Sequence, residues 1–479
     1  MPHAPARTHH TVTLVVLAVS ALAYALLQSL VAPALPNIQA ELGASASATS
    51  WILTAYLLSA SISTPIMGRF GDMFGKERML VIVLALLAIG TAISALGSGV
   101  GVVILGRVVQ GFGGAVFPLS FAIIRDEFPN DRVPTAIALV SAIMGIGAGL
   151  GIVLAGPVVE HLSYHWLFWF PGIVVTLAAV AAWRFVPESP IKTPGRINWL
   201  GGILLSGWLT VLLVGVTKAH TWGWTSPRLL ASFAAAAVLA VLWVVVERRA
   251  KEPLVDMHMM QLRGVWTTNL AGLLTGFSMF SSFILIPQMM ELPKATGVGF
   301  GATVTGAGLA MLPSTLAMLL VAPLVGRIVA RWGGRPALIA GSLILALAFV
   351  LLTFLHSQTW HIYLTSAVSG VGIGMAFAAM ANLVVMAVPP AQTGVASGMN
   401  TITRTIGGAF GAQITASIVA ANLAFVPAVR QQLPTEHAFV LGFIVAAAVA
   451  VAAAVAAAFV PVKVTEPAVV RRESAHATA

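Results

Sequence analysis

Fourteen apolar stretches, each near twenty residues long, run through this chain, and almost all of its 25 basic and 15 acidic residues sit in the short gaps between them. A helix of about 20 apolar residues, rising about 1.5 Å per residue, crosses the roughly 30 Å of hydrocarbon in a bilayer. With 58% of its 479 residues hydrophobic, the chain has too little polar surface to cover a water-soluble core. The pattern predicts an all-α polytopic membrane protein.

The predicted spans lie near residues 13–36, 50–68, 79–98, 101–124, 134–157, 166–186, 197–217, 228–246, 265–287, 302–326, 336–355, 361–388, 394–424 and 438–460. With both termini placed in the cytoplasm, 19 of the 25 basic residues fall on the inner side and four (Lys218, Arg228, Lys294 and Arg430) on the outer side. This sorting follows the positive-inside rule, and shifting the span count by one would scramble it. Arg107 and Arg404 remain inside or at the ends of spans. The net charge of +10 is therefore read as orientation and attraction to anionic lipid headgroups, and no nucleic-acid partner is expected.

Cysteine is absent, which excludes disulfides and thiolate metal sites. No His/Asp/Glu cluster has metal-ligand spacing and no nucleophile and base are set out as catalysis requires, so no metal, cofactor or enzymatic activity is expected. Ahead of the first span, Arg7, His9 and His10 precede an apolar run in which Ala23-Tyr24-Ala25 has the form of a signal cleavage site. The run continues to Pro36, past the usual apolar region of a signal peptide, so the segment is expected to stay as a membrane span.

An internal repeat appears at an offset near 260 residues. Gly114 and Phe117 return as Gly374 and Phe377, the Gly147/Gly151 pair returns as Gly407/Gly411, and the basic turn Gly68 to Arg78 returns as Gly326 to Arg335. This predicts two six-helix halves, 13–186 and 265–460, joined by a linker and two inserted central helices at 187–264, with tails at 1–12 and 461–479. Paired halves around a central pathway are a transporter design, because rocking one half against the other exposes a midplane site alternately to each side.

The turn after the second span carries Gly68, Arg69, Gly71, Asp72, Gly75, Lys76 and Arg78. Its glycines permit a tight reversal and its cations mark the inner side. Asp72 is a carboxylate in a basic setting, suited to docking on the positive N-terminal end of another helix, that of the span beginning near residue 394. A plain topological turn is the alternative reading. In the fourth span Arg107 lies roughly 9 Å from the outer end. A cation there costs about 2.5–3.5 kcal/mol unless it faces protein, so it is read either as a functional arginine sharing a face with Gln110 or as one that snorkels to the headgroups. Gly147, Gly151 and Gly156, ahead of Pro157, give the fifth span a small-residue face for close packing or gating. Gln28, Asn269, Gln288, Asn382, Asn400 and Gln413 are polar on apolar spans and point either to a substrate path or to interhelical hydrogen bonds. Arg404 lies in a stretch longer than one span, so its depth stays open.

Together these residues resemble the major facilitator superfamily, in particular its fourteen-span drug:proton antiporter branch. The turn from Gly68 to Arg78 is similar to the superfamily's signature loop, the segment Arg107 to Gly114 to its fourth-span arginine motif, and Gly147 to Gly156 to the antiporter glycine motif. The resemblance implies a major-facilitator-type fold and a secondary transporter that exports small apolar or amphipathic compounds, such as drugs or secondary metabolites, by alternating access. The proton gradient is the energy source it implies, and a monomer in a bacterial plasma membrane is expected. Uptake or facilitated diffusion is the alternative, with a transport-inactive sensor behind it.

Two positions depart from the family pattern. Ile152 replaces the proline expected after Gly151, and Leu27, beside Gln28, stands where the branch carries an aspartate. No carboxylate remains at a span centre: Asp72 lies at an inner end, Glu160 and Glu291 near outer ends. A path lined by amides and Arg107 without acids favours neutral or weakly anionic amphiphiles over dications.

Overall fold

The structure, a computed structural model, describes residues 10–189, 192, 195–428 and 430–461. Arg7, Lys463, Arg471 and Arg472, and most of both expected tails, lie outside the described residues. The helices are α1 (His10–Ser29), α2 (Val31–Glu41), α3 (Ala46–Phe74), α4 (Lys76–Leu96), α5 (Val100–Gln110), α6 (Val116–Glu127), α7 (Val133–His161), α8 (Trp166–Phe185), α9 (Trp199–Trp222) and α10 (Pro227–Arg249). They continue as α11 (Met257–Gln261), α12 (Arg263–Glu291), α13 (Val304–Trp332), α14 (Gly334–Phe354), α15 (Thr359–Ala387), α16 (Thr393–Ala421) and α17 (Glu436–Ala458). A two-stranded antiparallel hairpin, β1 (Leu423–Val426) and β2 (Gln431–Pro434), links the last two.

Among the described residues, thirteen helices are long and apolar enough to cross a membrane, not fourteen. The missing one is α16, which has 29 residues but a run of Thr, Ser, Gly and Asn where its neighbours carry Leu and Val. Its polar side chains at Thr393, Ser397, Asn400, Arg404 and Thr415 are buried against other helices, so the composition that disqualifies it reflects packing inside the bundle.

Two predicted spans are interrupted, each for a local reason. The first breaks at Leu30, between α1 and α2, where Pro33 removes the N–H that would bond to Ser29. The fourth passes through a tight 3-10 turn at Gly111–Ala115. There Ser59 and Ser63 of α3 donate to the carbonyls of Val108 (2.5 Å) and Gly111 (3.0 Å), tying the turn to α3.

The repeat read from the sequence is a repeat of contacts. Gly147 and Gly151 of α7 lie on Ala25 and Ser29 of α1, and Gly407 and Gly411 of α16 lie on Leu273 and Phe277 of α12. Gly114 meets Ala60 and Thr64 of α3, while Gly374 meets Met318 and Val321 of α13. Each half has its own apolar core, centred on Tyr24, Tyr56, Phe117 and Phe168 in one and on Met311, Phe349, Phe377 and Phe439 in the other. The inserted pair α9 and α10 shares a third core with α16 and the end of α15. α10 is buried over only 17% of its apolar window and so presents most of its surface outward, whereas α15, 83% buried, runs through the interior.

The face that carries the α3–α4 turn is called here the basic face. Gly75 joins the two helices at φ 118°, a conformation that disfavours any side chain. Lys76 pairs with Asp126 at the end of α6, both side chains fully buried, and the Ser189 hydroxyl also donates to Asp126. Glu188 receives Arg78 at 3.0 Å and sits against Gly75. The segment after α8 is thereby fastened over the turn.

Candidate functional site

Arg107 ends inside the protein, not at a headgroup layer: its residue is 0% exposed. Nε donates to the carbonyl of Ile52 (3.1 Å), Nη1 to the carbonyl of Leu27 (3.1 Å) and to Oε1 of Gln110 (2.7 Å), and the guanidinium lies 3.9 Å from the Tyr56 ring centre. Gln110 shares the face, three residues on, as helical spacing requires. All these partners are neutral. The position expected to carry an acid, Leu27, contributes its backbone oxygen instead.

Arg404 is equally interior, 8% exposed, and comes from the other half. Its guanidinium stacks 4.3 Å from the Phe377 ring centre, and Nη2 approaches Sδ of Met144 in α7 at 3.1 Å. Gly276 of α12 packs on the Arg404 backbone, so α16 sits close enough to aim the side chain toward the first half. Arg404 is 11 residues from the start of α16, or roughly 16 Å along it, a little short of the helix midpoint.

The amides divide. Asn400 donates to Asn269 at 2.9 Å, joining α16 to α12, and Asn382 donates to the carbonyls of Pro134 (3.2 Å) and Ala378 (2.8 Å). These three take the interhelical alternative. Gln28 and Gln413 are half-buried, and Gln288 is exposed near the end of α12. Tyr24, Tyr56, Met144 and Phe377, which surround the two arginines, escaped the sequence reading because aromatic and Met residues on apolar helices look like core; the one hint was Phe377 as the repeat partner of Phe117.

On the basic face the two halves meet where the sequence reading placed a latch. Oδ2 of Asp72, 1% exposed, accepts from the backbone N–H of Val395 in the first turn of α16 at 3.4 Å. A Cβ on Gly68 would lie 2.7 Å from the carbonyl oxygen of Gly394, so backbone meets backbone at this crossing. Arg125 of α6 donates to Thr393 Oγ1 at 2.8 Å, a contact the sequence gave no sign of. Beside this contact, Arg69, Gly195, Glu252, Asp256 and Gln392 line a cavity of about 350 Å³, and Gln392 donates to Asp256 at 3.1 Å.

The second crossing between halves is the seam of α7 and α13. Gly326 lies on Thr135, Gly145 on Met318, Gly149 on Thr315, Gly308 on Val153 and Gly156 on Thr305, so the helices touch from end to end. At the far end Thr305 donates to Glu160 at 3.2 Å. By the repeat, Gly326 on Thr135 corresponds to Gly68 on Gly394, but Ala330 stands where Asp72 would recur.

Comparison with known proteins agrees with this geometry. The family model of the Major Facilitator Superfamily matches residues 17–412 and, in an overlapping match, 268–478. The chain is 27% identical over 400 residues to the multidrug transporter protein MdtP of Bacillus subtilis, covering 82% of this chain and 72% of that one. It is 27% identical over 422 residues to the tetracenomycin C resistance and export protein of Streptomyces glaucescens, covering 86% and 76%. Among solved structures, the human organic anion transporter MFSD10 superimposes with a TM-score of 0.65 at 17% identity over 95% of this chain and 100% of that one, a likeness of fold alone. Two pseudo-repeated halves, an embedded arginine in the fourth span and a family match across nearly the whole length make this chain a multi-pass membrane transporter belonging to the Major Facilitator Superfamily.

Proposed function

We propose that the protein exports small apolar or amphipathic compounds across a bacterial plasma membrane by alternating access, with both termini in the cytoplasm and the Asp72 contact as the latch of the cytoplasmic gate. The observation that carries this reading is the Asp72 carboxylate seated on the N-terminal turn of a helix in the opposite half. Unpaired N–H groups give that turn a partial positive charge, so the contact is worth most when the halves are together and vanishes when they part. A group with that property biases one state of a two-state machine. The relatives named as multidrug and export proteins favour the outward direction. The proton gradient is the proposed energy source, and a single chain is the proposed working unit.

The test is a resistance and accumulation profile in an efflux-deficient bacterial host, for the parent and Asp72→Asn. Lower accumulation of a subset of compounds in the parent, lost in the variant at equal membrane abundance, supports the reading. Equal accumulation with and without the parent across the panel would sink it.

A further inference from the structure

Two guanidiniums occupy the interior, one from each half, and among the described residues neither has a carboxylate within ion-pair distance. The Tyr24 ring lies 6.2 Å from that of Tyr56, which carries the Arg107 guanidinium. A buried charge without an opposite charge is costly in a membrane protein and persists where it has a partner or a task. The two arginines meet this cost differently. Arg107 makes three hydrogen bonds to oxygen and lies on the Tyr56 ring, and its one unpartnered nitrogen, Nη2, is sealed among those neighbours. Arg404 has five N–H groups to offer, and its one side-chain hydrogen bond among the described residues goes to a thioether, a weak acceptor.

The surroundings of Arg404 narrow what could fill the deficit. Phe377 covers one face of the guanidinium, and Met144, a flexible and polarisable side chain, touches its edge from the other half. Its helix packs against α12 and α15, and its side chain reaches α7, so it lies between elements of both halves. A planar guanidinium beside an aromatic ring is matched by a flat ring bearing an anionic oxygen: the oxygens take the N–H fork and the ring takes the apolar wall. Arg404 and Met144 belong to different halves, so such a ligand would enter where the halves separate.

We propose that the protein selects an aromatic organic anion and that Arg404, between the halves, is the residue that pairs with its anionic group. This rests on the export reading and names its substrate class. Arg107, held by neutral acceptors, adds to the positive field without being the anion's direct partner.

The test uses two permanently charged probes of the same ring, 2-naphthalenesulfonate and (2-naphthyl)trimethylammonium, and the full chain in proteoliposomes. The parent is expected to move the sulfonate faster than the ammonium. Arg404→Met is expected to lower the sulfonate-to-ammonium rate ratio about tenfold or more, and Arg404→Lys to keep most of it. An unchanged ratio in Arg404→Met, or a parent that prefers the ammonium, would overturn the proposal while leaving export standing. A parent that moves neither probe, nor any compound from the resistance panel, overturns both. Independently of any variant, binding of the sulfonate to the detergent-purified parent should be displaced by benzoate and not by benzylammonium. Equal displacement by the two would also overturn it.

Discussion

The backbone N–H of Val395 points at the carboxylate of Asp72, two residues 323 apart in sequence and in opposite halves of the molecule. A charge on the first turn of a helix contributes roughly 0.3–2 kcal/mol, enough to change the ratio of two conformers by up to about thirtyfold. Asp72→Asn keeps the shape and removes the charge. It should reach the membrane in normal amount and transport at a small fraction of the parent rate, measured as flux per molecule. Parent-like flux would reduce the segment to a topological turn.

The same crossing can be opened by volume instead of charge. A Cβ at Gly68 or Gly394 would come within 2.7 Å of the opposing backbone oxygen, and backbone cannot rotate away as a side chain can. Gly68→Ala and Gly394→Ala should therefore force the basic face apart. A cysteine placed at Ser397, now 4% exposed, should react with a maleimide several times faster in either background. No change in rate would show that the crossing yields without opening.

Lys76 and Asp126 form an ion pair with no exposure on either side. Removing one partner strands a buried charge, which costs about 3–5 kcal/mol, whereas replacing both with apolar groups costs much less. Lys76→Met should thus lower the thermal unfolding temperature in detergent more than Lys76→Met combined with Asp126→Leu. Additive losses would deny the coupling.

Arg107→Ala removes three hydrogen bonds that bind α1, α3 and α5 together, and flux should fall below detection. Leu27→Asp places a carboxylate on the residue whose carbonyl already holds Arg107, and should make flux more dependent on an imposed pH step. An identical pH response in the parent and Leu27→Asp would count against any role for this position in proton coupling.

Orientation is open to a thiol test because the chain has no native cysteine. Ser189 is a poor reporter, being buried and bonded to Asp126. Exposed Asp131 on the basic face and exposed Thr221 on the other serve instead. In intact cells an impermeant maleimide should label Thr221→Cys and spare Asp131→Cys. The reverse pattern would invert the topology.

Span positions, the repeat and the basic turn were legible because each leaves a local mark: apolar runs, glycines at a fixed offset, cations sorted to one side. Asp72 could even be matched to its partner helix, since a carboxylate among cations and a helix start without acids are both local facts. Asn269 and Asn400 show the limit. Either could have lined a path, and only their placement at 2.9 Å reveals that one donates to the other. Met144 was invisible for the opposite reason, and Phe377 showed only as the repeat partner of Phe117, since nothing marks a core-type side chain as the companion of an arginine far away in sequence. α16 misled by composition, its polar residues being spent on neighbours.

The seam of α7 and α13, closed by glycines at both ends and along its middle, is suited to be the pin of the proposed rocking motion. In that motion these two helices would roll on each other, and the edge formed by α3 and α16 would travel farther than the seam. Leverage then makes one carboxylate sufficient. At the pin an acid would hold little, and there the repeat has Ala330; at the swinging edge, a bond worth a fraction of the fold's stability would suffice to bias the proposed stroke.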